Sequence, residues 1–410
     1  MTPIVSRYPS SALALVASHE GWDLVERPLS DLADTPSFPS GLIRVSISRA
    51  SISHAQAQVM SRQRSATPGR VLGHEAAGWV AEISPLAQRW LDEQGRSLFL
   101  GDRVVLFPFL PCLGVDSTGS PLDCPACNLG RVEECPRLKA LGVDEDGILT
   151  TFRDLPPQMV HRVPENVAPY STTWIDLLYV EAIAQALVAA QSTALASARH
   201  IAVVGRGPVQ ELTARVIESV QFGWKFSFPG SPPPTSPAAA LDEVIVTIDM
   251  EDGEIDEGPG MRASQHEAAM SSLRVHRLDP SALPRHPRAF DVIVETWADP
   301  ASLSDMFQAL SSNGVLIRKS RPGRAVSLLR QAAPLSPVRI VEAPYGSFAS
   351  AITWMATHPG ALRDLDQDAH RYSLSTVSGD ELDRVPLRSG QPLADEMGFP
   401  LALYALRVGL

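Results

Sequence analysis

The sequence has no basic surplus: Lys and Arg number 35 against 46 Asp and Glu, a formal charge of −11. An acidic chain without a Lys/Arg cluster offers no electrostatic footprint to nucleic acid and no patch for an anionic membrane. Long apolar runs are lacking too. None approaches the roughly 18 residues that span a bilayer, and the opening MTPIVSRYPSSALALVASHEGWDL has no basic stretch leading into an apolar one, so the expected location is cytoplasmic. Cysteine is scarce. The four present all fall between Cys112 and Cys135, a poor way to staple a long chain and a good way to hold one metal.

What is present is a chain of 410 residues with 44% hydrophobic content, near the upper limit for a single core, so two domains are expected. The first stretch alternates short apolar runs with turns, ALALVAS, WDLVERPL and LIRVSISRA, and reads as all-β. It continues through GRVLGHEAAGWVAEI and GDRVVLFPF, with Gly73, Gly78 and Gly101 at the bends of a compact barrel. From about Thr172 the apolar spacing becomes helical in IDLLYVEAIAQALVAAQ. HIAVVGRGPVQELTARVIESV then opens a βαβ unit, and DEVIVTID, FDVIVET, ASLSDMFQALSS and GVLIRKS continue a doubly wound parallel sheet. The stretches at 223–237 and 250–261 read as surface loops, and ALYALRV as a terminal strand returning to the first domain.

Cys124 and Cys127 are followed by NLGRVEE and Cys135, giving C-x2-C-x7-C, with Cys112 upstream. Four thiolates can close a tetrahedral zinc site with no open position, the structural kind. Together with GHEAAGWV and GDRVV, this lobe resembles the zinc-containing medium-chain dehydrogenases such as the sorbitol, threonine and alcohol dehydrogenases. The insertion LGVDSTGSPLD between Cys112 and Cys124 departs from that family, although loop closure grows only slowly in cost with length. The resemblance implies a GroES-like catalytic domain over 1–178 with its zinc lobe at about 108–138, a Rossmann coenzyme domain over 179–345, and a segment over 346–410 returning to the first domain. It also implies a homodimer or homotetramer acting on a small-molecule alcohol or ketone.

Gly205-Arg206-Gly207-Pro208-Val209-Gln210 follows a strand and opens a helix. Gly205 permits the tight turn, while Gly207, Pro208 and Val209 bring backbone close to a pyrophosphate at the helix start. Gln210 stands where a third glycine serves helix–strand packing. Asp249, at the end of VIVTID, is placed to accept from the ribose hydroxyls and repel a 2′-phosphate, which favours NAD over NADP. The competing reading of Asp249 is a solvated acid at a strand end.

In the family a catalytic metal polarises the substrate oxygen ahead of hydride transfer. The resemblance assigns its ligands to His74, Glu75 and Glu181. The family's catalytic cysteine is replaced: Ser51-Ile52-Ser53-His54-Ala55-Gln56 aligns Ser53 with it, so Ser53 is a candidate catalytic position but a poorer ligand than a thiolate. The competing reading of His74 is a buried imidazole hydrogen-bonded within the barrel, with Glu75 in an ion pair. Three functions follow. The leading one is an NAD(P)-dependent oxidoreductase interconverting a secondary alcohol or polyol and its ketone; the alternatives are a non-catalytic dinucleotide-binding relic and a zinc-independent reductase of activated double bonds.

Overall fold

The computed structural model describes residues 10–18, 21–29, 31–32, 38–51, 67–92, 95–113, 123–129, 132–164, 176–195, 198–222, 246–248, 255–257, 274–296, 302–319, 339–343, 345–358, 360–362, 365, 371–373, 385–386 and 402–404. Ser53 to Gln56, Asp249 and the 223–237 segment lie outside the described residues. The chain divides into two units, residues 1–180 with 367–410, and residues 181–366. No helix among the described residues is long and apolar enough to cross a membrane.

The first unit begins with an antiparallel pair, β1 (Ser11–Ser18) and β2 (Gly21–Pro28). β3 (Ile43–Ser51), β4 (Glu75–Ile83), β5 (Arg103–Leu106), β6 (Phe109–Leu110), β7 (Lys139–Ala140), β8 (Phe152–Leu155) and β9 (Val160–Arg162) follow, with the single-turn helix α1 (Pro125–Asn128) between β6 and β7. β3 is the centre of the sheet. Its alternation buries Ile43, Val45 and Ile47 completely, the period-two pattern of a strand with one face on a core. One edge of β3 pairs with β4, and the other takes β8 at Ile43–Ser46.

Arg44, buried on β3, sets that register. Its Nε and Nη2 donate to the two carboxylate oxygens of Asp154 on β8 at 2.8 and 2.9 Å, and its Nη1 to Glu82 on β4 at 2.9 Å. A one-residue slip of any of the three strands would strand that guanidinium without its partners. Gly78 lies within β4 rather than at a bend: a Cβ there would stand 2.1 Å from the Ser46 carbonyl oxygen, so glycine is needed for close strand approach.

The second unit starts on α2 (Val180–Ala190), whose first residue closes the first unit. It continues with β10 (His200–Val204), α3 (Gly207–Phe222), β11 (Val246–Ile248), β12 (Ile255–Glu257), β13 (Arg274–Leu278), β14 (Phe290–Glu295), α4 (Leu303–Ala309), β15 (Leu310–Lys319), β16 (Arg339–Ala343) and α5 (Phe348–Thr357). The sheet order is β12-β11-β13-β10-β14-β15-β16, and every pairing except β11–β12 is parallel. Ile201 to Val204 are fully buried, as expected of a central parallel strand.

Two features differ from the sequence reading. β12 lies in the acidic stretch read as a loop; it adds an antiparallel edge to β11, where charged residues are well tolerated. β13, with sequence RVHRL, carries no strand signal in the sequence because its polar residues break the apolar run expected of a parallel strand. It is held instead by charge: Arg277 donates to Glu211 and, at 2.8 and 3.1 Å, to the buried Glu218, both on α3.

The return to the first unit begins at residue 367 rather than 346. α5 stays with the second unit because Trp354 Nε1 donates to Ser219 Oγ on α3 at 2.8 Å, and Arg215 Nη1 reaches the Ala361 carbonyl at 2.7 Å. Beyond it, β17 (Arg371–Ser373), β18 (Val385–Pro386) and β19 (Ala402–Tyr404) rejoin the first sheet, with β19 completing the edge of β3 opposite Arg49–Ser51.

Candidate metal centres and coenzyme turn

The four cysteines meet in space and none is in a disulfide. Cys124 stands just before α1, and Pro125 at the first helical position begins the turn that brings Cys127 back to the same side. The Sγ atoms of Cys112 and Cys127 are 3.6 Å apart, and those of Cys124 and Cys135 are 3.9 Å apart. A tetrahedron of Zn–S bonds places sulfurs about 3.8 Å from one another, so the group fits zinc. The insertion after Cys112 has not removed that residue from the cluster.

Backbone amides of Cys112 and Arg137 point at Cys135 Sγ at 3.5 and 3.4 Å, a donor arrangement that favours the thiolate form. The Cys127 backbone amide, then the neighbouring thiols, bring Cys124 down to about 7, while burial pushes Cys127 and Cys135 up. One thiolate forms readily and a cation must supply the charge for the rest.

His74, Glu75 and Glu181 also come together, each offering a ligand atom within 4.8 Å of the others. Gly73, at φ +86, turns the chain into β4, and a Cβ there would stand 2.4 Å from Leu149 Cγ. His74 is buried, and its Nε2 lies 3.8 Å from Glu75 Oε1. Ser51, opposite Glu75 in the β3–β4 register, donates its hydroxyl to Glu75 Oε2. Glu181, the residue directly after Val180, accepts from Gln185 Nε2 one helical turn on at 3.5 Å. One imidazole and two carboxylates form a donor set suited to a divalent cation such as zinc. Ser53 belongs to the segment outside the described residues.

The glycine turn joins β10 to α3. The Gly205 amide donates to the Leu278 carbonyl at 3.0 Å, and a Cβ on Gly205 would stand 2.0 Å from Thr296 Oγ1. Gly207, at φ +67, begins α3, followed by Pro208 and Val209 in its first turn, where the amides that exist lack intrahelical acceptors. Gln210 does what a third glycine does not: its Nε2 donates to the carbonyls of Val203 and Leu278, each at 2.9 Å. The side chain thus ties the helix start to the ends of β10 and β13.

Asp249 lies outside the described residues. β11, the strand before Asp249, pairs with β13 and not with β10. β10 lies between β13 and β14, and the residue that follows β13 is Asp279, which pairs with Arg206 and accepts from Ser281. The signal in the sequence is the acid after VHRL, hidden because that segment has no apolar strand signature.

Residues 39–165 match the alcohol dehydrogenase GroES-like domain. An uncharacterized zinc-type alcohol dehydrogenase-like protein of Haemophilus influenzae is 30% identical over 154 residues, 38% of each chain. L-threonine 3-dehydrogenase of Pyrococcus furiosus is 27% identical over 140 residues, 34% of this chain and 35% of that one. The chain thus spans little more than a third of the length of these curated relatives. A solved structure from Sinorhizobium meliloti, described as a zinc-binding dehydrogenase bound to NADP, superposes with a TM-score of 0.56 at 16% identity, over 97% of this chain and 100% of that one.

Residues 39–165 belong to the alcohol dehydrogenase GroES-like domain family, and the chain is related to the Sinorhizobium meliloti structure through its fold. The family match lies within the first unit, and the second unit is related through its fold. Ser51 and Gln210 are the site residues whose contacts the sequence did not disclose. Both act across strands, through a partner far along the chain.

Proposed function

We propose that the protein is an NAD(P)-dependent oxidoreductase that interconverts a secondary alcohol or polyol and its ketone by hydride transfer. The observation that carries the reading is the turn from Gly205 to Gly207 at the carboxyl end of β10, where the Gln210 side chain ties the helix start to the ends of β10 and β13. The dehydrogenase names of the relatives support the alcohol half, as do His74, Glu75 and Glu181. Those three residues would hold a catalytic zinc, which when bound polarises an alcohol or carbonyl oxygen. Ser51 keeps the Glu75 carboxylate oriented through its hydroxyl. Cys112, Cys124, Cys127 and Cys135 would hold a second, structural zinc.

The test is titration of the purified protein with NADH and NADPH, followed by nicotinamide fluorescence and thermal shift, then oxidation of a polyol panel. Binding of either coenzyme with turnover of one polyol is the expected result; no response to either coenzyme overturns it. Ser53 favours a second reading, a dinucleotide-binding protein without catalysis. Elemental analysis separates the two: two zinc ions per chain support the enzyme, and one supports the relic.

A further inference from the structure

We propose that Arg318, at the carboxyl end of β15, binds an anionic group of the substrate, so that the alcohol taken is an acidic polyol, a sugar acid or a polyol phosphate. The inference rests on the reading above that the sheet of the second unit takes a nicotinamide dinucleotide. It names the substrate class of that same site.

An inner parallel strand, covered on both faces, is expected to be apolar along its length. β15 lies between β14 and β16, and Val315, Leu316 and Ile317 obey that rule. Arg318 departs from it at 7% exposure. On β14 the break falls at the same level: Val292, Ile293 and Val294 are buried and apolar, while Glu295, opposite Arg318 in the register, is 1% exposed. A buried ion pair is commonly replaced by apolar residues without loss of stability, so stability alone is a weak reason for one here.

The level of the pair is the level of ligands. Open α/β sheets bind at the carboxyl ends of their strands, and a dinucleotide lies across two halves that part at the glycine-turn strand. β13 belongs to the half that meets the adenosine ribose, and β14 and β15 to the half left for nicotinamide. Val204, Glu295 and Arg318 stand level across β10, β14 and β15. Arg318 is thus two strand spacings, roughly 10 Å, from the strand that carries the glycine turn. The coenzyme pyrophosphate is taken at the start of α3, which leaves the substrate as the source of an anion at β15.

The guanidinium is held by one edge. Its Nε donates to Glu295 Oε2 at 3.3 Å, and among the described residues it has no other partner. The remaining N–H groups, on Nη1 and Nη2, form a fork that meets a carboxylate or phosphate with two parallel charge-assisted bonds, which a neutral hydroxyl cannot match. Glu295 fixes the plane of that fork and is a positioning residue. The register also sets Glu342 of β16 opposite Arg318. That acid and a substrate anion would compete for the same fork, and the experiment separates the two.

The full-length protein is saturated with the coenzyme it binds, NADH or NADPH, and dissociation constants of gluconate, sorbitol 6-phosphate and sorbitol are read from nicotinamide fluorescence. At least one anion is expected to bind about 10-fold or more tighter than sorbitol, a gap that narrows as salt rises. Which anion does so tells carboxylate from phosphate. Arg318→Met combined with Glu295→Gln removes both charges and leaves no buried ion unpaired; it should shrink that preference by about 10-fold or more. Arg318→Lys keeps the charge without the fork and should shrink it by less. A melting curve on each variant shows that it is folded. Sorbitol bound as tightly as both anions, no binding of either anion, or equal weakening of all three ligands in the variants overturns the anion site and leaves the oxidoreductase reading standing. Failure of the unmodified protein to bind either coenzyme overturns both.

Discussion

The cysteine lobe and the coenzyme turn are both built around short sequence motifs, yet they are held in opposite ways. The lobe closes on itself: all its donors lie between Cys112 and Arg137, and the partners of each sulfur are within that stretch. The turn is closed by residues from elsewhere. Leu278 and Asp279 come from the end of β13, and Thr296 from the end of β14. A local site survives as long as its ligands do, whereas a site assembled by sheet order depends on every strand being in register.

The largest effect is expected where the local site is broken. Cys135→Ser should lower zinc by one per chain in elemental analysis and abolish hydrogen-exchange protection over the lobe, since such sites contribute on the order of 10 kcal/mol to the smallest zinc domains. Retained zinc would show that the other three thiolates suffice.

Next is acid. His161 on β9 is partly buried, and desolvation pushes its imidazole from 6.5 down to about 4. Between those values the unfolded chain binds a proton that the folded chain does not, so the stability His161 contributes is complete above pH 6.5 and lost as pH falls toward 4. The loss is about 3 kcal/mol, and urea midpoints of His161→Phe should fall less between pH 7.5 and 5 than those of the parent protein.

The long-range site should yield less per residue. Gln210→Ala removes a donor from the Val203 and Leu278 carbonyls, of which Leu278 keeps the Gly205 amide, and should cost about 1–2 kcal/mol in urea unfolding. Gln210→Gly, which restores the usual third glycine, should cost at least as much; a gain in stability would mean that the side-chain tie is dispensable. Smallest of all is Lys139→Ala beside the lobe. Its 2.7 Å pair with Glu145 is solvent-exposed, and a change within about 0.5 kcal/mol is expected.

The same contrast governs what could be read from the sequence. The gathering of the four cysteines was legible because it lies in spacing along the chain. The barrel strands were legible from alternation, and β10 with α3 from the glycines between them. Asp279 was not, because a strand such as β13 that is fastened by Arg277 to two glutamates of α3 carries no apolar signature. Arg44 and its partners escaped for a related reason: a cross-strand charge network is defined by register, which no single segment contains. The helix α5 misled the domain boundary because its tie to Ser219 runs through one indole nitrogen.

The pairing of β19 with β3 also places a clock on synthesis. Ala402 must find Ser51, and at ribosomal rates of roughly 5–20 residues per second the interval between their emergence is on the order of tens of seconds. During that time the stretch of β3 from Arg49 to Ser51 awaits its second neighbour, whereas the rest of that edge can already pair with β8. A nascent chain in that condition has an open strand edge, and chaperone demand should track translation speed across the second unit.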